Sequence, residues 1–359
     1  MERPEPLPHI ASLPRYVPGA RGAAGGPAPI KVSSNENPLA ALPSVADAIA
    51  AASVSINRYP DMFAVELTER IAAGSGVTPA RVVVGGGSVA VLAHILQAFA
   101  GPGDEVVFAW RSFEAYPILT LAVGAVPVAV PVDADARHDL EAMAAAISER
   151  TRVVLVCSPN NPTGPAVRAD EFAKFMAAVP PGVLVVLDEA YLEFVTDPAA
   201  ASGADVLGRW DNLLLLRTFS KAYGLAGLRV GHAIGDPELI AAIRAVVTPF
   251  SVNGLAQVAA IASLDAEPEL LIRVKGIVAE RERVSAALAT DGWSIPDAQG
   301  NFFWIPAAAK TEELAAHLAA HEPSILARPF AGEGVRVSIG TPQQNDAVLS
   351  SLAKFGSRV

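Results

Sequence analysis

A single cysteine, Cys157, in 359 residues excludes an intramolecular disulfide. With no cysteine pair and no signal-peptide pattern, a cytoplasmic enzyme is expected. Cys157 ends an apolar run and reads as a small core residue rather than a nucleophile. Cation is also in short supply: Lys and Arg number 27 against 37 Asp and Glu, a formal charge of -10. That balance argues against a nucleic-acid partner, because phosphate backbones select clustered Lys and Arg, and no basic helix-turn-helix segment precedes residue 80. The six histidines form no metal motif. His317 and His321 are spaced i, i+4, but Leu318 stands where a zinc-protease helix would carry its glutamate, so they read as one face of a surface helix. Asp, Glu, Lys and Arg are absent from residues 82 to 103, a length that invites a membrane span. Three successive glycines, Ser88, His94, Gln97 and Pro102 interrupt that run, and a buried strand, turn and helix account for it instead.

What the chain has in quantity is apolar residues, 52% of the total, enough to bury a large core. Short apolar runs at 82 to 85, 105 to 109, 126 to 132, 152 to 158, 183 to 188, 213 to 218 and 229 to 235 alternate with longer helical patterns. The alternation predicts an α/β fold with a mainly parallel seven-stranded sheet covered by helices on both faces. After Pro249 the pattern changes to a long helical region from about 254 to 290, the strand Asn301 to Ile305, a helix near 311 to 321, two short strands and a final helix. We therefore expect an N-terminal arm over 1–35, a large domain over 36–248 and a small α+β domain over 249–359. The Pro- and Gly-rich arm is expected to be extended and to lie over the small domain or a neighbouring subunit.

Four segments carry chemistry. Residues 218 to 231 read Thr-Phe-Ser-Lys-Ala-Tyr-Gly-Leu-Ala-Gly-Leu-Arg-Val-Gly. The amine of Lys221 can form a Schiff base with an aldehyde, and Thr218, Ser220 and Arg229 are suited to a phosphate on the same ligand. Alone, the stretch would also fit a glycine-rich loop with a surface lysine. The run Val183 to Leu187 ends in Asp188-Glu-Ala-Tyr191, at the carboxyl end of a buried strand where ligands of open α/β sheets sit. Asp188 there could face a ring nitrogen and Tyr191 a ring substituent, or Asp188 could merely cap a helix. The strand 152 to 157 runs into Ser158-Pro-Asn-Asn-Pro-Thr-Gly164, a turn that presents amide side chains. The strand 81 to 84 opens into Gly85-Gly-Gly-Ser88, exposing backbone N–H groups at a helix N-terminus. Gly85-x-Gly87-x-x-Ala90 with Glu105 about 20 residues on also fits a dinucleotide fingerprint, but a nicotinamide oxidoreductase leaves Lys221, Asp188 and Arg229 without roles.

Together these segments resemble the fold-type I pyridoxal-phosphate aminotransferases, in the branch of histidinol-phosphate and aromatic amino acid aminotransferases. The likeness extends from Leu13-Pro-Arg-Tyr-Val-Pro-Gly19 and Ser33 to Pro38, through Asn57 to Asp61, to Val335-Arg-Val-Ser-Ile-Gly-Thr341. It implies pyridoxal 5'-phosphate as cofactor, with Lys221 as covalent anchor and proton carrier, and Asp188 on the pyridine nitrogen. Asn161 and Tyr191 would hydrogen-bond the ring oxygen, and Phe113 would stack on the ring, although any aromatic of 110 to 116 could be packing. Gly87, Ser88, Thr218, Ser220 and Arg229 would bind phosphate, with Tyr59 reaching across a homodimer. Arg336 would clamp the substrate carboxylate; Tyr16, Asn35, Trp110 and Arg328 are further candidates for the substrate pocket.

The resemblance leaves two substrates in play, with a non-catalytic cofactor-binding regulator as a remote third reading. Histidinol-phosphate enzymes commonly follow the glycine turn with an acidic pair, where this chain has Ser88-Val-Ala-Val91. They also tend to carry a Pro-Ser/Thr-Tyr/Phe-x-Met phrase, where this chain has Trp110-Arg-Ser-Phe-Glu-Ala-Tyr-Pro117. Both departures resemble actinobacterial aromatic, or phenylalanine, aminotransferases, which implies Phe, Tyr and Trp as donors and 2-oxoglutarate as acceptor. Against that, Tyr16, Arg328 and Arg336 resemble the phosphate-holding groups of the histidinol-phosphate branch.

Overall fold

The computed structural model describes residues 3–11, 13–14 and 28–356. Twelve strands are found among them: β1 Ile30–Lys31, β2 Val82–Gly85, β3 Glu105–Trp110, β4 Val126–Pro131, β5 Thr151–Cys157, β6 Leu184–Asp188, β7 Leu213–Thr218, β8 Gly231–Ile234, β9 Phe302–Ile305, β10 Ile325–Leu326, β11 Arg328–Phe330 and β12 Gly334–Ser338. Seven form one sheet in the order β2-β8-β7-β6-β5-β3-β4. Only β8 runs against its neighbours, pairing antiparallel with both β2 and β7; the other pairs are parallel. All seven predicted strands are present, with bounds moved by no more than two residues.

The period of two along each strand divides the core into two layers. On β5, Val154 and Val156 pack into one cluster while Val153, Leu155 and Cys157 pack into the other. Likewise β6 sends Val185 and Leu187 one way and Leu184 and Val186 the other. Both faces are apolar because both are covered by helices, the arrangement that lets parallel strands be hydrophobic throughout. Polar residues therefore collect where strands end, and β6 and β7 finish on Asp188 and Thr218.

Beyond residue 249 three departures from the sequence reading appear. The long helical region is two helices, Gly254–Asp265 and Glu267–Thr290, broken at Ala266. Pro268 has no N–H to continue the first helix, but proline is tolerated in the opening turn of the second. Three strands, not two, follow the helix Thr311–Ala319: β11, β12 and β9 form an antiparallel sheet, whereas β10 pairs in parallel with β1. That helix stops short of His321, whose Nδ1 lies 3.0 Å from the Pro323 carbonyl; His317 Nε2 lies 2.8 Å from the Ser351 carbonyl. Among the described residues no group of three or more His, Cys, Asp or Glu could hold a metal ion. No helix among them is long and apolar enough to cross a membrane. The arm is not wholly extended, since Pro8–Ala11 makes one helical turn.

The buried Arg281, on the helix Glu267–Thr290, ties this region to the loop after β6. Its guanidinium donates to the carbonyls of Phe194 at 2.7 Å and Gly300 at 3.2 Å, and to Thr196 Oγ1 at 2.9 Å. Asn35 makes a second tie by accepting from Ser338 Oγ at 2.9 Å. Gly300, just before β9, and Ser338, on β12, are the points at which the three-stranded sheet takes part in these ties.

Candidate active site

At the carboxyl end of β6, Asp188 is 6% exposed. Its Oδ2 accepts from the Tyr116 hydroxyl at 2.8 Å and its Oδ1 from the Ala190 N–H at 3.2 Å. Burial raises its pKa to about 6 in spite of these two donors, which favour the charged form. Tyr116 lies in the first turn of the helix Ala115–Ala122, and burial, then the facing Asp188, holds its phenol well above the ordinary range. Tyr116 thus remains a donor. Phe113 packs edge-on against it at 5.6 Å between ring centroids.

At the end of β7 the chain turns back on itself. Thr218 Oγ1 donates to Ser220 Oγ at 3.0 Å and accepts the Ser220 N–H at 3.1 Å. Arg229, with φ of 62°, brings Nη1 to within 3.3 Å of Ser220 Oγ. Facing them is the turn after β2, where Gly87 has φ of 96°. A Cβ at Gly87 would collide with Arg229 Nη2, so only glycine leaves this space open. A bare backbone, two hydroxyls, a guanidinium and the N-terminus of the helix Ser88–Phe99 together fit a phosphate group.

Lys221 extends from this turn, its Nζ donating to the Ser34 carbonyl at 3.2 Å and lying 5.7 Å from the centre of the Tyr191 ring. Burial lowers its pKa to about 7, with the positive charges of Arg336 and Arg229 adding to the effect and Glu36 opposing it. Tyr191 is buried, its hydroxyl accepts from Asn35 Nδ2 at 3.0 Å, and burial pushes its phenol upward. In the turn after β5 the two asparagines divide their work. Asn160 pins the turn by donating to the Arg111 carbonyl at 2.9 Å and to Thr163 Oγ1 at 2.7 Å, while Asn161 Oδ1 accepts from Arg336 Nη1. Arg336 also donates to the Ser33 carbonyl at 2.6 Å.

These groups surround one cavity of about 270 Å³. It brings together Lys221, Asp188, Tyr191, Asn161 and Phe113 around its middle, with Ser88, Thr218, Ser220 and Arg229 at the phosphate-like end and Arg328 and Arg336 on the facing wall. A hollow of about 460 Å³ beside Phe63 and Pro249 is larger but gathers no comparable set of polar groups. Gly87 adjoins the cavity through Arg229. Asn35 does not line it: fully buried, it stands behind Tyr191 and bonds Ser338. Trp110 also lies outside, under the Arg111 guanidinium at 4.2 Å. Tyr59 is 84% exposed, beside Phe250 and away from the cavity. Tyr16 lies outside the described residues. Cys157 lines the cavity, but burial pushes its thiol up to about 12, which leaves it without nucleophilic character.

Set against known proteins, residues 27–352 match the family model described as aminotransferase class I and II. The chain belongs to this family. It is 52% identical over 349 residues to the aromatic amino acid aminotransferase of Thermobifida fusca, covering 97% of this chain and 96% of that one. The corresponding Streptomyces coelicolor protein is 49% identical over 346 residues, with 96% of each covered. Among solved structures, histidinol-phosphate aminotransferase from Sinorhizobium meliloti in complex with pyridoxal-5'-phosphate superposes with a TM-score of 0.87 at 27% identity, covering 97% of this chain and 96% of that one.

For an aminotransferase of this family the dinucleotide alternative also fails on geometry. Glu105 opens β3 at the end of the sheet opposite the cavity, where it is ion-paired with Arg150 and accepts from Ser148 Oγ at 2.5 Å. Two aminotransferase site neighbours escaped the sequence reading of roles. Tyr116 counted only as one of three aromatics, and Glu114, which binds Arg328, was not singled out. The one available signal was that Glu114 is the only carboxylate in the loop 110 to 117.

Proposed function

We propose that the protein transfers the amino group of aromatic L-amino acids, Phe, Tyr and Trp, to 2-oxoglutarate in two half-reactions, using pyridoxal 5'-phosphate held by Lys221. The observation that carries the reading is a single cavity joining an amine of lowered pKa, a buried carboxylate and a phosphate-fitting turn. When bound, the cofactor supplies an aldehyde carbon that takes up amines and a ring that delocalises the charge left by the departing α-proton. Gly87, Ser88, Thr218, Ser220 and Arg229 hold its phosphate. Asp188, kept in place by Tyr116, holds a proton on the ring nitrogen. Asn161 and Tyr191 bond the ring oxygen, and Phe113 covers one ring face. Arg336 takes the substrate carboxylate through its planar fork, which fixes the α-carbon near Lys221 Nζ. With its pKa near 7, that amine can be neutral at neutral pH, accept the α-proton and return it on the other side of the transfer.

Relatives at 47–52% identity named aromatic amino acid aminotransferase support the aromatic donors. A second reading, histidinol phosphate as donor, is favoured by the Sinorhizobium meliloti neighbour and by Arg328 on the cavity wall. Side-by-side kinetics on Phe, Tyr, Trp and histidinol phosphate with 2-oxoglutarate decide between them. We expect higher kcat/KM for the aromatic donors; a clear preference for histidinol phosphate would reverse the assignment.

The exposed Tyr59, with Val54, Ile56 and Phe63 also exposed nearby, supports a homodimer in which Tyr59 reaches the other subunit's phosphate. Further elements of the same reading are a cytoplasmic location, an arm over 1–35, a large cofactor domain over 36–248 and a small domain over 249–359. The last boundary falls in the non-helical stretch between Val246 and Gly254.

A further inference from the structure

Asn35 is fully buried, its backbone is left-handed with φ of 51°, and its amide N–H, carbonyl, Oδ1 and Nδ2 all have partners. The N–H donates to Ser338 Oγ at 2.7 Å and the carbonyl accepts from Asn301 Nδ2 at 3.1 Å. In the side chain, Oδ1 accepts from Ser338 Oγ at 2.9 Å and Nδ2 donates to the Tyr191 hydroxyl at 3.0 Å. These bonds settle which way the amide points. Because Ser338 Oγ already accepts the Asn35 N–H, its own single proton goes to Oδ1, and Nδ2 is left to face Tyr191. The Tyr191 oxygen is therefore an acceptor on that side, and burial keeps its phenol protonated. Among the described residues nothing accepts the hydroxyl's own proton, and Tyr191 lines the cavity.

Asn161, also on the cavity wall, is turned in the same sense: its Oδ1 accepts from Arg336 Nη1, which leaves Nδ2 to donate. Both groups assigned to the cofactor's ring oxygen thus offer it protons, as an oxygen that bears negative charge requires. We propose that Asn35 is a positioning residue: by donating to the Tyr191 oxygen from behind, it denies the hydroxyl proton that direction and commits it to the cavity. A hydroxyl that accepts a hydrogen bond is also polarised into a stronger donor. The inference rests on the reading that Tyr191 bonds the cofactor's ring oxygen.

Asn35→Asp tests it on the intact holoenzyme. Aspartate also tolerates a left-handed backbone; it keeps Oδ1 for Ser338 but puts an acceptor where Nδ2 stood, so the Tyr191 proton should turn away from the cavity. A donor at the ring oxygen shares its negative charge and weakens its hold on the proton carried by Lys221 Nζ once that nitrogen is linked to the cofactor. Losing the donor therefore raises the pH at which the near-visible absorbance of the holoenzyme titrates. Tyr191→Phe should raise that midpoint by about one pH unit or more, and Asn35→Asp by a comparable step. The added carboxylate also acts through its own charge, and the Tyr191→Phe background isolates that contribution, because Lys221, Asp188, Arg229 and Arg336 still line the cavity there. In that background Asn35→Asp should raise the midpoint by less than about half as much. Asn35→Gly, which keeps the backbone conformation and adds no charge, should give a smaller rise beside Tyr191 and none in Tyr191→Phe, and it decides alone if Asn35→Asp does not fold. Equal shifts in the two backgrounds, or no shift beside Tyr191, overturn the role of Asn35 and leave Tyr191 on the ring oxygen. If Tyr191→Phe itself leaves the midpoint unmoved, the placement of Tyr191 falls, and this inference falls with it.

Discussion

Tyr116→Phe removes one oxygen and leaves the ring in place, so it isolates the hydrogen bond to Asp188 from the packing against Phe113. Asp188 already has a pKa of about 6, raised by burial. Its carboxylate therefore forms as pH rises through about 6 and is lost as pH falls through that value. The Tyr116 hydroxyl, 2.8 Å from Oδ2, favours the charged form. A hydrogen bond to a charged group is worth about 1.5–3 kcal/mol, and one pKa unit corresponds to about 1.4 kcal/mol. Deleting the hydroxyl should raise the Asp188 pKa by a further 1–2 units or so. The carboxylate would then be scarce at pH 7, and the protonated ring nitrogen of pyridoxal phosphate would lose its counter-charge. We expect cofactor affinity, measured by equilibrium dialysis from pH 6 to 9, to fall most at the acid end and to recover toward wild type near pH 9. The midpoint of the profile should move up by about one unit or more. A loss that is uniform across pH would refute the argument, because it would mean that the hydroxyl acts through packing and not through the charge on Asp188.

Two further substitutions test the cofactor seat. Gly87→Ala would force a side chain into a backbone conformation reserved for glycine and push the Arg229 guanidinium aside. The apoprotein should lose about 1–3 kcal/mol in urea unfolding, and the holoenzyme should release cofactor faster; unchanged retention would show that Arg229 does not hold phosphate. Tyr59→Phe should weaken cofactor binding by one charge-assisted bond, about 1.5–3 kcal/mol or roughly 10- to 100-fold in dissociation constant. A fully active monomer by sedimentation at assay concentration contradicts the shared site.

The sheet was legible in the sequence because each strand buried on both faces is a short apolar run, and its bounds are marked by glycine, proline or charge. The break at Ala266 was missed although Pro268, a residue without an N–H inside an otherwise helical pattern, carried its signal; good helix formers on both sides masked it. The strand β10 was missed for another reason. Two residues pairing with Ile30 and Lys31, almost 300 positions earlier, carry no local period. Within the site, residues at strand ends could be assigned because α/β sheets gather ligands there. Asn35 and Tyr16 had no such anchor. Asn35 proves to hold the Tyr191 hydroxyl from behind, a contact across 156 residues.

The contacts that escaped the sequence are those between charged or polar partners far apart in the chain. Tyr116 and Asp188 are 72 residues apart, and Glu114 and Arg328 are 214 apart. These contacts bear directly on the electrostatics of the site. Burial alone pulls Asp188 toward its neutral form and pushes Lys221 toward its own. The Tyr116 hydroxyl counters the first tendency, and the positive charges of Arg336 and Arg229 strengthen the second. The family motifs place the amine and the carboxylate, whereas the surrounding donors and guanidinium groups bias which protonation states they hold near neutral pH.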